Sequence, residues 1–403
     1  MLDPAAFVCG VRLRQIRQGD ITLDLFNWCP ERKGTRASKW DNQGGDYLPM
    51  WVADMDLAAP ALVVDAVIRR ASHPIYGYTA IGAPENDCVT AYYKRLYDAV
   101  ITPDWLVWVP AVMPGANMAC RMLSGSIMLN TPMYPHIRKL SAETGLSAIE
   151  VPLQVDDGGC YRFDFDAMEL AAAAHPELST FILCNPHNPV GRVFTQNELE
   201  QLTGFCEKHD LVVISDEIHS ELVFEGHTHI PFFLVNDWAR EHSITLTSGA
   251  KTYNIPCLPI GFAVIPNEAL RHRYQTFIAG LSAVPNVLAL EATRTAYNEC
   301  LEWKAELLRH LQANRDYLEN RIACIHGLSV THNEGTFLAW VDCRGAGLCD
   351  PWTFFREQAG VNFSNGMDFG APGFVRVNFA CTRAQLAQAL NKVERAVLGI
   401  HTA

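Results

Sequence analysis

The chain has 403 residues, with 32 Lys and Arg against 44 Asp and Glu, a formal charge of −12. Hydrophobic residues make up 49% and charged residues 19%, enough for a large core and far from a disordered composition. The acidic balance excludes a chain built mainly to bind nucleic acid or an anionic membrane, and no apolar run reaches the ~18 residues of a membrane span.

At ~150 residues per domain the length predicts two or three domains. The N-terminus shows no secretory pattern of basic start, apolar middle and small-residue cleavage site. The 13 Cys are scattered without a CxxC pair, which reads as buried hydrophobes or free thiols in a reducing compartment, so a cytoplasmic location is expected. His227 and His229 are the tightest His pair, with no third ligand nearby, and no metal site is expected.

Residues 1–60 are irregular and rich in Trp, Gly and Asp, with RKGTRASKWD followed by LPMWVADMD. A helix is predicted after Pro60, where ALVVDAVIRRA carries apolar residues at helical spacing. The turn-rich HPIYGYT leads to a second amphipathic helix, DCVTAYYKRLYD. Short apolar runs then alternate with helical patterns. Seven strands are predicted, at 105–110, 126–130, 147–153, 180–186, 211–218, 243–250 and 261–266. Five helical patterns lie between them: NMACRML, YPHIRKLSAET, FDAMELAAAA, TQNELEQLTGFCEKH and NEALRHRYQTF. Apolar strands without strict alternation are covered on both faces, so the pattern predicts an α/β fold with a mostly parallel sheet. From residue 285 a long helical pattern leads to the strand TFLAWVDC, the helix PWTFFREQAG, the strand FVRVNFA and a last helix, TRAQLAQALNKVERAVL. This α+β end is expected to form a smaller domain, 291–403 with 1–60, beside a large domain over 61–290.

Three polar residues fall at the C-terminal ends of predicted parallel strands: Asn188 in CNPHNPVGR, Asp216 in VVISDEIHS and Lys251 in TLTSGAK. Ligands of open α/β sheets bind outside those strand ends. Taken singly, Asn or Asp after a strand is an ordinary helix cap or turn former, and such a Lys is ordinarily solvated. Together, in this order, they point to a site.

These segments carry a resemblance. NPHNPVG, SDEIH and SGAKTYNIP resemble the signatures of fold-type I pyridoxal 5′-phosphate (PLP) enzymes of the aminotransferase class I/II superfamily. RKGTRASKWD, LPMWVADMD and IYGYT resemble its cystathionine β-lyase (MalY/PatB) branch of C–S lyases. The resemblance runs from about residue 30 to the C-terminus. It implies a fold-type I architecture with a seven-stranded sheet, PLP as cofactor, an amino-acid substrate and a homodimer.

The resemblance also implies roles. Lys251 would form the Schiff base with PLP, an amine helped by a desolvated cationic pocket that keeps it neutral. Asp216 would hold the pyridine nitrogen protonated. Asn188 would hydrogen-bond the phenolic oxygen, and His219, where the wider superfamily has Tyr, reaches the same atom or is an ordinary strand-end polar residue. Ser248 would bind the phosphate together with the backbone N–H groups of Val112 and Met113 at a helix start. Tyr134 would stack on the ring, and Tyr78 would reach the phosphate of a neighbouring subunit. Arg376 in GFVRVNFA would bind the substrate carboxylate through its guanidinium fork, with Arg383 a rival by sequence alone. Two departures stand out: Pro259 where many members carry a phosphate-binding Arg, and Cys257 where the branch often has Gly.

The reaction this implies is β-elimination of a cysteine S-conjugate to a thiol, pyruvate and ammonia. Transamination uses the same residues, and a regulatory role on a retired enzyme fold is a third reading. A nicotinamide enzyme is disfavoured, because no GxGxxG follows the first predicted strand.

Overall fold

A computed structural model of the chain describes residues 25–402, apart from 157, 282 and 283. Fifteen strands run in chain order among them: β1 Leu48–Pro49, β2 Leu106–Val109, β3 Ser126–Thr131, β4 Ala148–Pro152, β5 Gln154–Val155, β6 Tyr161–Arg162, β7 Leu178–Cys184, β8 Val212–Asp216, β9 Ser243–Thr247, β10 Gly261–Val264, β11 Ser329–Val330, β12 Leu338–Asp342, β13 Val361–Asn362, β14 Ser364–Asn365 and β15 Phe374–Asn378. The seven strands predicted from the sequence build one sheet in the order β2-β10-β9-β8-β7-β3-β4. It is parallel except for β10, which runs antiparallel to both β2 and β9.

The unbroken apolar runs follow from burial on both faces. Phe181, Leu183 and Val213 point into a core shared with the helices Phe165–Ala174 and Gln196–Lys208. Their neighbours Ile182 and Ile214 point the other way, toward the helices Val112–Leu123 and Glu268–Ile278. The period-2 side-chain alternation is intact, but both faces bury apolar groups, so it leaves no polar trace.

A second sheet, β11-β12-β15-β14, is antiparallel. Its core takes in Leu307, Leu311 and Leu318 of the helix Leu301–Ala323, Leu386 and Leu390 of the C-terminal helix Arg383–Thr402, and Met50, Met55 and Leu57 from the N-terminal part of the chain. The pairing of β1 with β13 stitches residues 48–49 to 361–362. The long helical pattern read from residue 285 is two helices, Val287–Glu299 and Leu301–Ala323. Cys300 breaks it at φ −113°, ψ 25°, outside the helical region. The stretch PWTFFREQAG is a short helix, Pro351–Phe354, continued by a π-turn over Phe355–Ala359.

Candidate active site

The ends of β7, β8 and β9 open on one side of the sheet, and the late strand β15 approaches them from the second sheet. Asp216 is the last residue of β8. Asn188 follows β7 in a loop with cis peptide bonds before Pro186 and Pro189. Lys251 lies four residues after β9, in a tight series of turns. Gly249 is needed there for space: a Cβ would lie 2.9 Å from the Tyr297 ring and 3.2 Å from that of Tyr253.

Lys251 donates from Nζ to the Ala53 carbonyl at 2.7 Å. Its amine is lowered from 10.5 to about 8, first by desolvation and then by the Arg376 charge, against the opposing carboxylates of Asp54 and Asp216. Asp216 accepts from Ile218 N at 3.1 Å. Burial pushes its carboxyl up to about 6, although the Ile218 bond and Lys251 favour the ionised form. A buried acid of this kind gains most from a cation placed against it.

Arg376 is 4% exposed. Its guanidinium donates to Asn188 Oδ1 at 3.0 Å, to the Trp51 carbonyl at 2.9 Å and to Ser364 Oγ at 3.0 Å. It lies over the Phe369 ring at 4.9 Å, and its buried Nε has no partner among the described residues. Burial lowers its pKa to about 10, so it remains a cation at neutral pH. Because Asn188 spends Oδ1 on Arg376, its amide nitrogen is left to donate elsewhere. Tyr134 feels both the Arg376 and the Asp216 charge, and burial raises its phenol pKa. His219 is buried edge-on to Phe337, with ring centroids 5.8 Å apart. Among the described residues its Nδ1 has no partner, and burial beside Lys251 and Arg376 holds the imidazole well below its ordinary pKa, hence neutral.

Val112 and Met113 open the helix Val112–Leu123, so their N–H groups have no carbonyl four residues back within it. That helix end sits on Gly261, where a Cβ would meet Thr247 O at 3.2 Å and Val112 N at 3.3 Å. The backbone donors of Val112 and Met113 that the helix does not use are therefore available there. Ser248 is buried, but its hydroxyl donates to Ile260 O at 2.7 Å and accepts from Ala250 N at 3.1 Å. To bind a phosphate, the Ser248 hydroxyl would have to turn its donor from the Ile260 carbonyl to the phosphate.

Thus Lys251, Asp216, Asn188, His219, Tyr134 and Arg376 converge, with Val112, Met113 and Ser248 beside them. Tyr78 does not join them: its side chain is fully exposed on the single chain, near the exposed Ile75 and Tyr76. Arg383 points elsewhere, to Asn314 at 2.9 Å and the Tyr317 ring. Among the described residues no group of His, Cys, Asp and Glu is arranged to hold a metal ion. Sequence reasoning missed Trp51, Ala53, Ser364 and Phe369. The first two act through backbone carbonyls, which no residue type announces. Ser364 is signalled only by its register opposite Arg376 on β15.

Comparison with known proteins agrees with this arrangement. Cystathionine β-lyase PatB of Bacillus subtilis is 30% identical over 92% of this chain and 99% of its own length. A crystal structure of OvoB has 36% identity and a TM-score of 0.89, covering 92% of this chain and 98% of that one. The PLP-bound C–S lyase of Staphylococcus hominis has 26% identity and a TM-score of 0.87, covering 94% and 99%. The model of the family described as aminotransferase class I and II matches residues 58–393, a span that takes in β2 through β15 and every converging residue named above. A match of that extent makes this chain a member of the aminotransferase class I and II family.

Proposed function

We propose that this chain is a PLP-dependent C–S β-lyase that takes an L-cysteine S-conjugate, such as cystathionine, to a thiol, pyruvate and ammonia. The observation that carries the reading is the Lys251 amine, lowered to about 8 and facing both Arg376 and Asp216. Such an amine is neutral often enough at neutral pH to lift a proton, and the guanidinium beside it suits the carboxylate of an α-amino acid.

The residues present fit the cofactor. Among the described residues Arg376 Nε is buried without a partner, Asp216 is buried without a salt bridge, and the N–H groups of Val112 and Met113 are not used within their helix. Lys251 would hold the aldehyde, Asp216 the ring nitrogen, Asn188 and His219 the phenolic oxygen, Tyr134 the ring face, and Ser248 with Val112 and Met113 the phosphate. When bound, PLP supplies an electron sink that stabilises negative charge at the substrate Cα.

The chain's own groups do the rest. Arg376 binds the substrate carboxylate and fixes the amino acid relative to Lys251. Lys251, neutral, takes the Cα proton and carries it as an ammonium, with the Ala53 carbonyl at 2.7 Å ready to accept from it. Asp216 keeps its charge against the ring nitrogen throughout. The C–S bond then breaks, the thiolate leaves from Cβ with the electron pair, and water hydrolyses the released aminoacrylate to pyruvate and ammonia. The low basicity of the thiolate as a leaving group favours elimination.

We further propose a homodimer in which Tyr78 completes the neighbour's site. The exposed run of Ile75, Tyr76 and Tyr78 supports it, since clustered large apolar side chains on a surface mark an interface. The division into a cofactor domain over 61–290 and a smaller domain of 1–60 with 291–403 belongs to the same proposal. The two separate sheets support it. Incubation with PLP and L-cystathionine, followed by pyruvate and thiol assays, tests the reaction. No turnover on any cysteine conjugate refutes it, and accumulation of a stable pyridoxamine form assigns the chain to transamination.

A further inference from the structure

The segment 51–55 has no regular secondary structure, yet each of its five carbonyls accepts a side-chain donor. Trp51 O takes Arg376 and also Ser364 Oγ at 2.9 Å. Val52 O and Asp54 O both take Asn378 Nδ2, at 2.5 and 2.6 Å. Ala53 O takes Lys251. Met55 O takes Arg32 at 3.2 Å and Asn254 at 3.0 Å. Two of these donors, Arg376 and Lys251, are the groups assigned to the substrate.

Beneath the segment lies a cluster of four charges. Lys39 and Asp56, both 0% exposed, pair at 2.8 Å. Asp56 also accepts from Arg32 at 2.6 Å, Trp40 Nε1 at 2.9 Å and Gln385 Nε2 at 2.9 Å, which fills its acceptor sites. Lys39 donates on to Asp54 O at 3.2 Å, and its own carbonyl accepts from Trp51 Nε1 at 3.0 Å. Arg32 grips the Asp54 carboxylate with both terminal nitrogens, at 3.2 and 2.7 Å. Burial pushes the Asp56 carboxyl up, but Lys39, Trp40 and Arg32 outweigh it, so the charge persists. A buried ion pair adds little stability over an apolar packing of the same volume, so its use here is geometric specificity.

We propose that Lys39 and Asp56 are positioning residues: the buried pair fixes the 51–55 backbone, whose Trp51 and Ala53 carbonyls in turn set Arg376 and Lys251 at their working separation. The separation matters because one end of the substrate is held by Arg376 while Lys251 reacts at the next carbon, and a misplacement of about 1 Å costs on the order of 10²-fold. This account rests on the lyase reading for its kinetics, but not for its binding test.

The test pairs Lys39→Met with Asp56→Asn, which removes both charges together and keeps one acceptor oxygen, in place of the one that takes Trp40 and Arg32. Lys39→Arg is the conservative control, and Asp54→Asn, at a partly exposed site, is the milder variant should the double substitution prevent folding. PLP-loaded proteins are compared by calorimetric binding of propionate, an unreactive carboxylate, and by kcat and KM on a cysteine conjugate. Expected are propionate binding about 10-fold weaker, a kcat/KM loss on the order of 10²-fold and near-recovery in Lys39→Arg. Asp54→Asn is expected to weaken propionate a few-fold. Loaded, folded variants with propionate affinity and kcat/KM within about 2-fold of wild type overturn the proposal. Wild-type protein that turns over no cysteine conjugate sinks the lyase reading instead, and leaves the propionate comparison standing.

Discussion

Replacing Arg376 by Gln removes a buried cation while keeping much of the side chain's length. Truncating one member of a desolvated charge pair costs on the order of 2–5 kcal/mol. Here the structure places the effect in the lower part of that range. Three guanidinium bonds are already made to Asn188, Trp51 and Ser364, and Nε is the group left wholly unpaired, so a substrate carboxylate gains few bonds. About 2–3 kcal/mol corresponds to a loss of roughly 30- to 150-fold in kcat/KM, carried mainly by KM. A second effect is independent of the first. The Arg376 charge helps hold the Lys251 amine at about 8, so its removal raises that amine and moves the acid limb of the pH profile to higher pH. The assay is steady-state pyruvate release from a cysteine conjugate across pH 6–10, comparing Arg376→Gln with Arg376→Lys, which restores the charge but not the fork. KM unchanged within 2-fold, or an acid limb displaced to lower pH, refutes the reasoning.

In the wild-type chain kcat should rise with pH through about 8, because the Lys251 amine set free by the substrate accepts no proton while it is protonated, and a kcat profile flat from pH 6 to 9 contradicts this. The folded chain disfavours protonation of that amine, whose ordinary value is 10.5, so it binds fewer protons there than the unfolded chain does. Cofactor-free Lys251→Met should accordingly be more stable than wild type to urea at pH 7, with the gap narrowing by pH 10. Asp216→Asn supplies no charge for the ring nitrogen, and kcat should fall on the order of 10²-fold or more while folding is retained. Gly261→Ala pushes a methyl to within 3.2 Å of Thr247 O and 3.3 Å of Val112 N, and should raise the dissociation constant for PLP in an equilibrium titration. Tyr78→Ala should weaken PLP binding if the chain is a dimer by sedimentation, and have no effect if sedimentation shows a monomer.

The sheet was legible because most of its strands are short, largely apolar runs buried on both faces, while the edge strand β4 alternates, with Ile149 and Val151 buried and Glu150 exposed. Helix breaks were not: Cys300 interrupts the pattern with no Gly or Pro beside it to mark a stop. The polar members of the site were legible because a Lys, an Asp and an Asn at strand ends have no better structural explanation together than a shared ligand. The carbonyls of Trp51 and Ala53 were not, since every residue carries one and its role follows only from the path of the backbone. The WVADMD segment stood out as a motif, but its meaning lies in partners far away in sequence, Asn378 and Gln385 among them. Gly249 reads as a turn residue and proves to be a packing residue, because the rings of Tyr253 and Tyr297 leave no room for a Cβ.

The central claim is that Lys251 is the amine that holds PLP. Reduction of the loaded protein with borohydride, digestion and mass spectrometry locate the modified lysine directly. The account predicts one pyridoxyl group per chain, on the peptide containing Lys251, and none in Lys251→Ala. Label on a different lysine, or on no lysine at all, contradicts it.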